Sequence, residues 1–176
     1  QKLFSTSQID VVLIAQGALP EQTSVEESPS LLKESISVNA TSPAMFADAF
    51  ASRMIGQEKN SVIAIIGSVA GDRGRKSNYS YGASKAFIDA FSRGLQHRVY
   101  GTGVNVLLIK PGPVKTPMTA HMANSLKGMA TPESVARDIE RAIDKRKLTL
   151  YTPGKWAIIM WIIRRIPASI FNKLNL

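Results

Sequence analysis

The chain contains no cysteine in 176 residues. That excludes a disulfide scaffold and any cysteine-held metal, and it favours a reducing, cytoplasmic setting. Histidine is nearly as scarce. His97 and His121 stand in no metal-ligand or catalytic motif, so helix surface and loop are their ordinary readings. No apolar run approaches the roughly 20 residues that cross a bilayer. No glycine-rich turn follows a strand pattern. Gly101-Thr102-Gly103 precedes the apolar run VNVLLIK and reads as a turn into it, and Gly71 and Gly74 read as flexible loop positions. Acidic residues run out toward the end. After Asp144 there are seven Lys or Arg and no Asp or Glu, in a chain of net charge +9. Such an ending suits a phosphorylated substrate or an anionic membrane. It carries no nucleic-acid recognition motif, so nucleic acid is not an expected partner.

What is present is an alternation of strand and helix patterns. With 44% apolar and 20% charged residues, the chain can bury a core. IDVVLIA from Ile9, SVIAIIG from Ser61 and VNVLLIK from Val104 are continuous apolar runs, as expected of strands covered on both faces. LTLYTP is a short last strand, and LPEQTSVEESP reads as a polar loop. Helical patterns run from Ser30 to Arg53, from Asn78 to Tyr100, and from Thr131-Pro132-Glu133 to about Lys145. Pro43 interrupts the first of these and predicts a kink close to Asn39. This order predicts an α/β fold: a Rossmann-like, doubly wound parallel sheet with right-handed crossovers. The ligand crevice of such a sheet lies beyond the carboxyl ends of its strands. Ala15–Gly17, Ser68 and Pro111–Thr116 all fall there.

The stretch from Ser68 to Lys85 carries the chemistry. Tyr81 follows Ser68 by 13 residues, and Lys85 follows Tyr81 by four, about one helical turn. An ammonium one turn from a phenol can make the phenol a usable proton donor or acceptor near neutral pH. A strand-end hydroxyl facing that pair completes a constellation for work on a carbonyl. Tyr79 lacks a lysine four residues on, so Tyr81 is the candidate.

These residues resemble the active site of the short-chain dehydrogenase/reductases, whose set is an Asn, a Ser and a Tyr-x-x-x-Lys. Asn39 in SVNA is similar to the family's asparagine, and KPGPVKTPM from Lys110 to its Pro-Gly-x-x-x-Thr loop. Ala15-Gln16-Gly17 stands where the family has an Asn-Asn-Ala-Gly turn, without the asparagines. The resemblance implies an oxidoreductase using NAD or NADP to reduce a carbonyl reversibly. It implies catalytic roles for Asn39, Ser68, Tyr81 and Lys85. Tyr81 would exchange a proton with the substrate oxygen, Ser68 would bond that oxygen, Lys85 would also hold the nicotinamide ribose, and Asn39 would hold a water leading to Lys85. For the cofactor it implies Ala15, Gly17, Tyr81, Lys85, Pro111, Gly112, Val114 and Thr116, the last two gripping the carboxamide end. Because the family's glycine-rich loop is missing, residues 1–154 are expected to be the C-terminal part of one reductase domain, followed by a basic apolar tail at 155–176.

That tail holds WAIIMWII, Trp156–Ile163, followed by Arg164-Arg165. Two readings stand: an interfacial helix lying on the inner face of a membrane, or a helix packed on the body or a second subunit. RKSNYSYGASKAFIDAFSRGL and the ending RRIPASIFNKL are similar to the reductase subunits of decaprenylphosphoryl-ribose 2′-epimerase systems. That similarity implies a keto-sugar on a polyprenyl phosphate as substrate. A simple-ketone or oxoacyl reductase is the alternative within the class. A non-catalytic relative acting as a binding partner is the alternative outside it, and a homo-oligomer or partner subunit is expected either way.

Overall fold

The structure is a computed structural model that describes residues 8–57, 60–122 and 128–174. Four parallel strands form one sheet in the order of the sequence: β1 (Val11–Ile14), β2 (Ser61–Ile66), β3 (Val104–Pro111) and β4 (Thr149–Thr152). Val11 pairs with Val62, Val62 with Asn105, and Leu108 with Thr149, so the carboxyl ends of the strands lie side by side. The Rossmann-like α/β architecture expected from the alternation is therefore present.

Between β1 and β2 the chain forms α1 (Gln22–Glu27), α2 (Pro29–Ile36), a π turn (Ser37–Thr41) and α3 (Ser42–Met54). The α1 helix lies inside the stretch read as a polar loop. Its only buried residue is Val25, too little apolar signal for a period to show. The interruption near Pro43 is not a simple kink. Pro43 has no N–H to give the Asn39 carbonyl, and the Ser42 N–H instead reaches back to Ser37, which widens the helix by one residue at Asn39.

The α3 helix and α4 (Tyr79–Arg98) cover one face of the sheet, where Ala47, Ala51, Ile88 and Leu95 meet Ile63, Ile65, Val106 and Leu108. Helix α5 (Pro132–Asp144) covers the other, with Ala142 against Val62, Ala64, Leu107 and Ile109. The strands keep stepping the same way while the covering helix changes face. The β3–α5–β4 crossover is thus opposite in hand to the two before it, against the uniform handedness expected from the pattern. Thr131 caps α5 as predicted, its hydroxyl accepting from the Ser134 N–H at 3.3 Å.

The β1 strand departs from the expectation of two covered faces. It lies at the sheet edge, and Val11 and Leu13 are 45% and 53% exposed, whereas β2 and β3 are buried along nearly their whole length. The tail forms α6 (Lys155–Ile163) and α7 (Ala168–Phe171). Its inner side is anchored by Met160 and Phe171. Arg73 donates to the carbonyls of Ile163 and Ile166 at 2.9 and 2.5 Å and stacks 4.0 Å from the Phe171 ring centroid. Its outer side leaves Ile158, Trp161 and Ile162 more than half exposed.

Candidate active site

A cavity of about 480 Å³ opens beyond the carboxyl ends of β2 and β3. Ser68, Tyr81, Pro111, Gly112, Val114 and Thr116 all line it. Each arrives there for a local reason. Ser68 leaves β2 extended and caps the short turn Val69–Asp72, its Oγ accepting from the Ala70 N–H at 3.1 Å. That turn presses directly on α4. A β-carbon on Gly71 would fall 2.7 Å from the Lys85 carbonyl carbon, so glycine here serves close approach rather than the loop flexibility read from sequence. Tyr81 projects from the first turn of α4. The Pro111–Thr116 loop is closed by a bridge between Val114 and Ala130 and by Thr119, whose hydroxyl donates to the Val114 carbonyl at 2.5 Å.

Lys85 and Asn39 stand behind this lining. Lys85 is 3% exposed and donates to the Ile66 carbonyl at 3.0 Å, with its Nζ 5.7 Å from the Tyr81 ring centroid. Asn39 is fully buried and clamps Ala18 from both sides: its Oδ1 accepts from the Ala18 N–H at 2.9 Å and its Nδ2 donates to the Ala18 carbonyl at 2.8 Å. The two meet at Gly17, where a β-carbon would lie 3.1 Å from Asn39 Oδ1 and 3.6 Å from Lys85 Nζ. Gly17 thus touches the site from behind. Ala15 does not: it is exposed at the end of β1 and lines no part of the cavity. The Gln16 amide braces the same turn by donating to Ser42 Oγ at 3.2 Å. The side chain of His121 lies outside the described residues.

The electrostatics correct one expectation. Lys85 does not draw the Tyr81 phenol toward neutrality. Burial pushes the phenol above its ordinary value, with the Ser68 hydroxyl working weakly the other way. Burial also pulls Lys85 from 10.5 down to about 8, since it faces a carbonyl and no carboxylate. At neutral pH the phenol therefore holds its proton, the state a donor to a nascent alkoxide requires.

Sequence reasoning missed three residues here. Trp156, at the start of α6, lines the cavity so closely that a β-carbon on Gly112 would fall within 1.9 Å of its indole nitrogen. Arg75 and Asn78 line it as well. The unbroken apolar run of the tail does not show which of its residues turns toward the cavity, and no period marks a loop arginine.

The pattern described as short chain dehydrogenase matches residues 2–127. An uncharacterised oxidoreductase of Streptomyces coelicolor is 30% identical over 172 residues, which covers 98% of this chain and 67% of that protein. An uncharacterised oxidoreductase of Mycobacterium tuberculosis is 29% identical over 166 residues, 94% of this chain and 66% of that protein. The chain spans about two thirds of the length of the curated relatives it matches. Among solved structures, a short chain dehydrogenase from Burkholderia cenocepacia in complex with NADP superposes with a TM-score of 0.83. It covers 99% of this chain and 73% of that one at 18% identity, a likeness of fold. With the family pattern over residues 2–127 and a 30% identical relative aligned over 98% of the chain and 67% of the relative, this chain belongs to the short chain dehydrogenase family of oxidoreductases.

Proposed function

We propose that the protein reduces a carbonyl to an alcohol, reversibly, with NAD or NADP as the hydride carrier. The observation that carries this is the meeting of Ser68 and a protonated Tyr81 in one cavity, with Lys85 buried behind them and paired to no carboxylate. The residues present fit the nicotinamide-ribose end of such a cofactor. The loop Pro111, Gly112, Val114 and Thr116 offers backbone groups along one wall, and Lys85 stands one helical turn from Tyr81. They do not fit the pyrophosphate, since no glycine-rich turn follows any of the four strands. In this reading that cradle lies on polypeptide outside these 176 residues, packed against the free edge and open face of β1.

The bound nicotinamide supplies the hydride. Tyr81 gives its phenolic proton to the oxygen that gains charge, and in the reverse direction takes it back. Ser68 donates a hydrogen bond to the same oxygen. Lys85, whose value of about 8 lets it gain or lose a proton near neutrality, restores the phenol's proton and bonds the ribose hydroxyls. Asn39, clamped to Ala18 in the widened helical turn, holds a water against Lys85.

The tail bears on the substrate. Its outer face of Ile158, Trp161 and Ile162, beside Arg164 and Arg165, suits the headgroup layer of an anionic membrane, and no helix among the described residues is long and apolar enough to cross one. Trp156 on the same helix lines the cavity, so the mouth would face the lipid surface on the cytoplasmic side. This favours a carbonyl carried on a lipid, such as a keto-sugar on a polyprenyl phosphate. On the two helices that cover one face of the sheet, Met45 and Phe46 of α3 and Phe87 of α4 are 72%, 54% and 47% exposed, which favours a second copy packing there.

The test is Tyr81→Phe in the intact protein, which keeps the ring and removes the proton. Turnover of the reduced nicotinamide should fall by about 100- to 10,000-fold with cofactor affinity held, while Lys85→Ala damages both. Near-normal turnover in Tyr81→Phe would remove the catalytic assignment.

A further inference from the structure

Arg75 lies in the loop between the Val69–Asp72 turn and α4, on the wall of the candidate cavity. Among the described residues that line the cavity it is the only charged side chain, and no Asp or Glu accompanies it. Its Nε–H is buried without a hydrogen-bond partner. None of the ion pairs among the described residues includes it. The other buried or half-buried cations of this region are provided for. Lys110 has two carboxylates, Arg73 has backbone carbonyls and the Phe171 ring, and Lys85 has the Ile66 carbonyl. A second orphan stands beside Arg75: Asn78 Oδ1 is also buried without a partner and lines the same cavity.

A half-buried guanidinium with no counter-charge is costly to the fold, and burial depresses the Arg75 value for that reason. The rest of the wall offers no carboxylate to relieve it, being largely apolar with hydroxyls from Ser68, Ser77, Tyr81, Thr116 and Thr119. Something that enters the cavity can. A guanidinium presents a planar fork of N–H donors that matches phosphate or carboxylate oxygens two at a time. An amide oxygen left over next to it accepts from a hydroxyl.

We propose that Arg75 binds an anionic oxygen group, phosphate or carboxylate, carried by the substrate, and that Asn78 accepts a hydroxyl of the same molecule. The assignment rests on reading the cavity as a carbonyl-reductase site, and it narrows the substrates to anionic, hydroxylated carbonyl compounds. A phosphate could come from a soluble ester or from a lipid headgroup, and the chemistry at Arg75 is the same.

Trp156 on the cavity wall provides a readout that needs no turnover. In the intact protein with Trp161→Phe, and with any tryptophan outside these 176 residues also replaced so that Trp156 alone reports, phenyl phosphate and benzoate are titrated against neutral benzyl alcohol. The anions should bind at least tenfold more tightly than the alcohol. Arg75→Gln should bring them to the alcohol's level, and Arg75→Lys should keep part of the preference. Geranyl phosphate binding more tightly than phenyl phosphate, and only when Arg75 is present, would identify a lipid source. A soluble source is indicated if it does not. Thermal unfolding guards against a folding role. Arg75→Gln should melt no lower than the wild type, because it removes an unpaired charge. Unchanged anion affinity in Arg75→Gln, or a large drop in its melting temperature with the anion preference intact, overturns the proposal. Tyr81→Phe should bind the anions normally. If that variant instead keeps full reductase activity, the reductase reading fails, and the anion preference is still judged on Arg75 alone.

Discussion

Lys85 and Lys110 are both buried, at 3% and 1% exposure, and their surroundings are opposite. Lys110, near the end of β3, donates to Asp72 and to Asp89, the latter at 2.5 Å. Tyr151 completes the group by donating to Asp72 at 2.8 Å, and the Lys110 ammonium lies 5.3 Å from its ring centroid. Burial works to lower Lys110, but its bonds to the two carboxylates prevail and raise it. Lys85 has the same burial with a single backbone carbonyl, so burial prevails and it falls to about 8. The two regions touch: Asp72 ends the turn that begins after Ser68, and Asp89 lies one turn beyond Lys85 on α4. One cluster ties the loop, α4, β3 and β4 together, its charges matched once Arg93, paired to Asp89 at 2.6 Å, is included. The cleft beside it leaves Lys85 with a carbonyl only, and neither Lys85 nor Arg75 with a carboxylate. A fold neutralises the charges it uses as struts and leaves exposed in energy those it uses on a ligand.

The largest effect that would sharpen this contrast is at the strut. Lys110→Met leaves the buried Asp72 carboxylate without a cation, while Asp89 keeps Arg93, and should destabilise the protein by about 3–5 kcal/mol. Its denaturant midpoint should fall accordingly with an unchanged slope. A loss under about 1 kcal/mol would show that the cluster is not what joins these elements.

A smaller effect is expected at the tail, whose exterior cations are exposed and pair with no carboxylate among the described residues. Each basic residue near an anionic lipid surface contributes about 1 kcal/mol, so Arg164→Glu with Arg165→Glu should weaken liposome binding roughly thirtyfold or more. Binding by the wild type should also decline with salt. Sedimentation with anionic liposomes decides it. Equal binding by the double variant and the wild type, or none by either, would make the outer face of α6 an interface for protein.

Much of this was legible in the sequence, for physical reasons. Strand runs buried on both faces announce themselves, and so did β2 and β3. A helix that must place two side chains on one face shows its spacing, as Tyr81 and Lys85 did. Pro43 signalled the opening at Asn39, although the form it takes, a π turn, depends on which carbonyl the next N–H can reach. Other features had no local signature. Lys110 reads as the polar end of a strand, because its partners Asp72, Asp89 and Tyr151 are up to 41 residues away in the chain. Arg75 and Trp156 enter the cavity from a loop and from the tail, by packing that no periodicity records. Helix α1 hid in a polar stretch with one buried valine.

The most direct test of the central claim is the stability of Lys85→Met beside the wild type as a function of pH. In the wild type the folded chain releases the Lys85 proton at about pH 8, whereas the unfolded chain keeps it to 10.5. The unfolded state therefore binds more protons between those values, and the Lys85 contribution to stability rises with pH across that window. Below pH 8 the full cost of burying the charge is present, on the order of 3 kcal/mol for that shift. Lys85→Met should be more stable than the wild type at pH 7 by up to about that amount. Its advantage should shrink between pH 8 and 10.5 and vanish above, while reductase turnover is lost throughout. A Lys85→Met protein that is less stable than the wild type at pH 7, with a difference that does not change with pH, would contradict the account by making Lys85 a strut like Lys110.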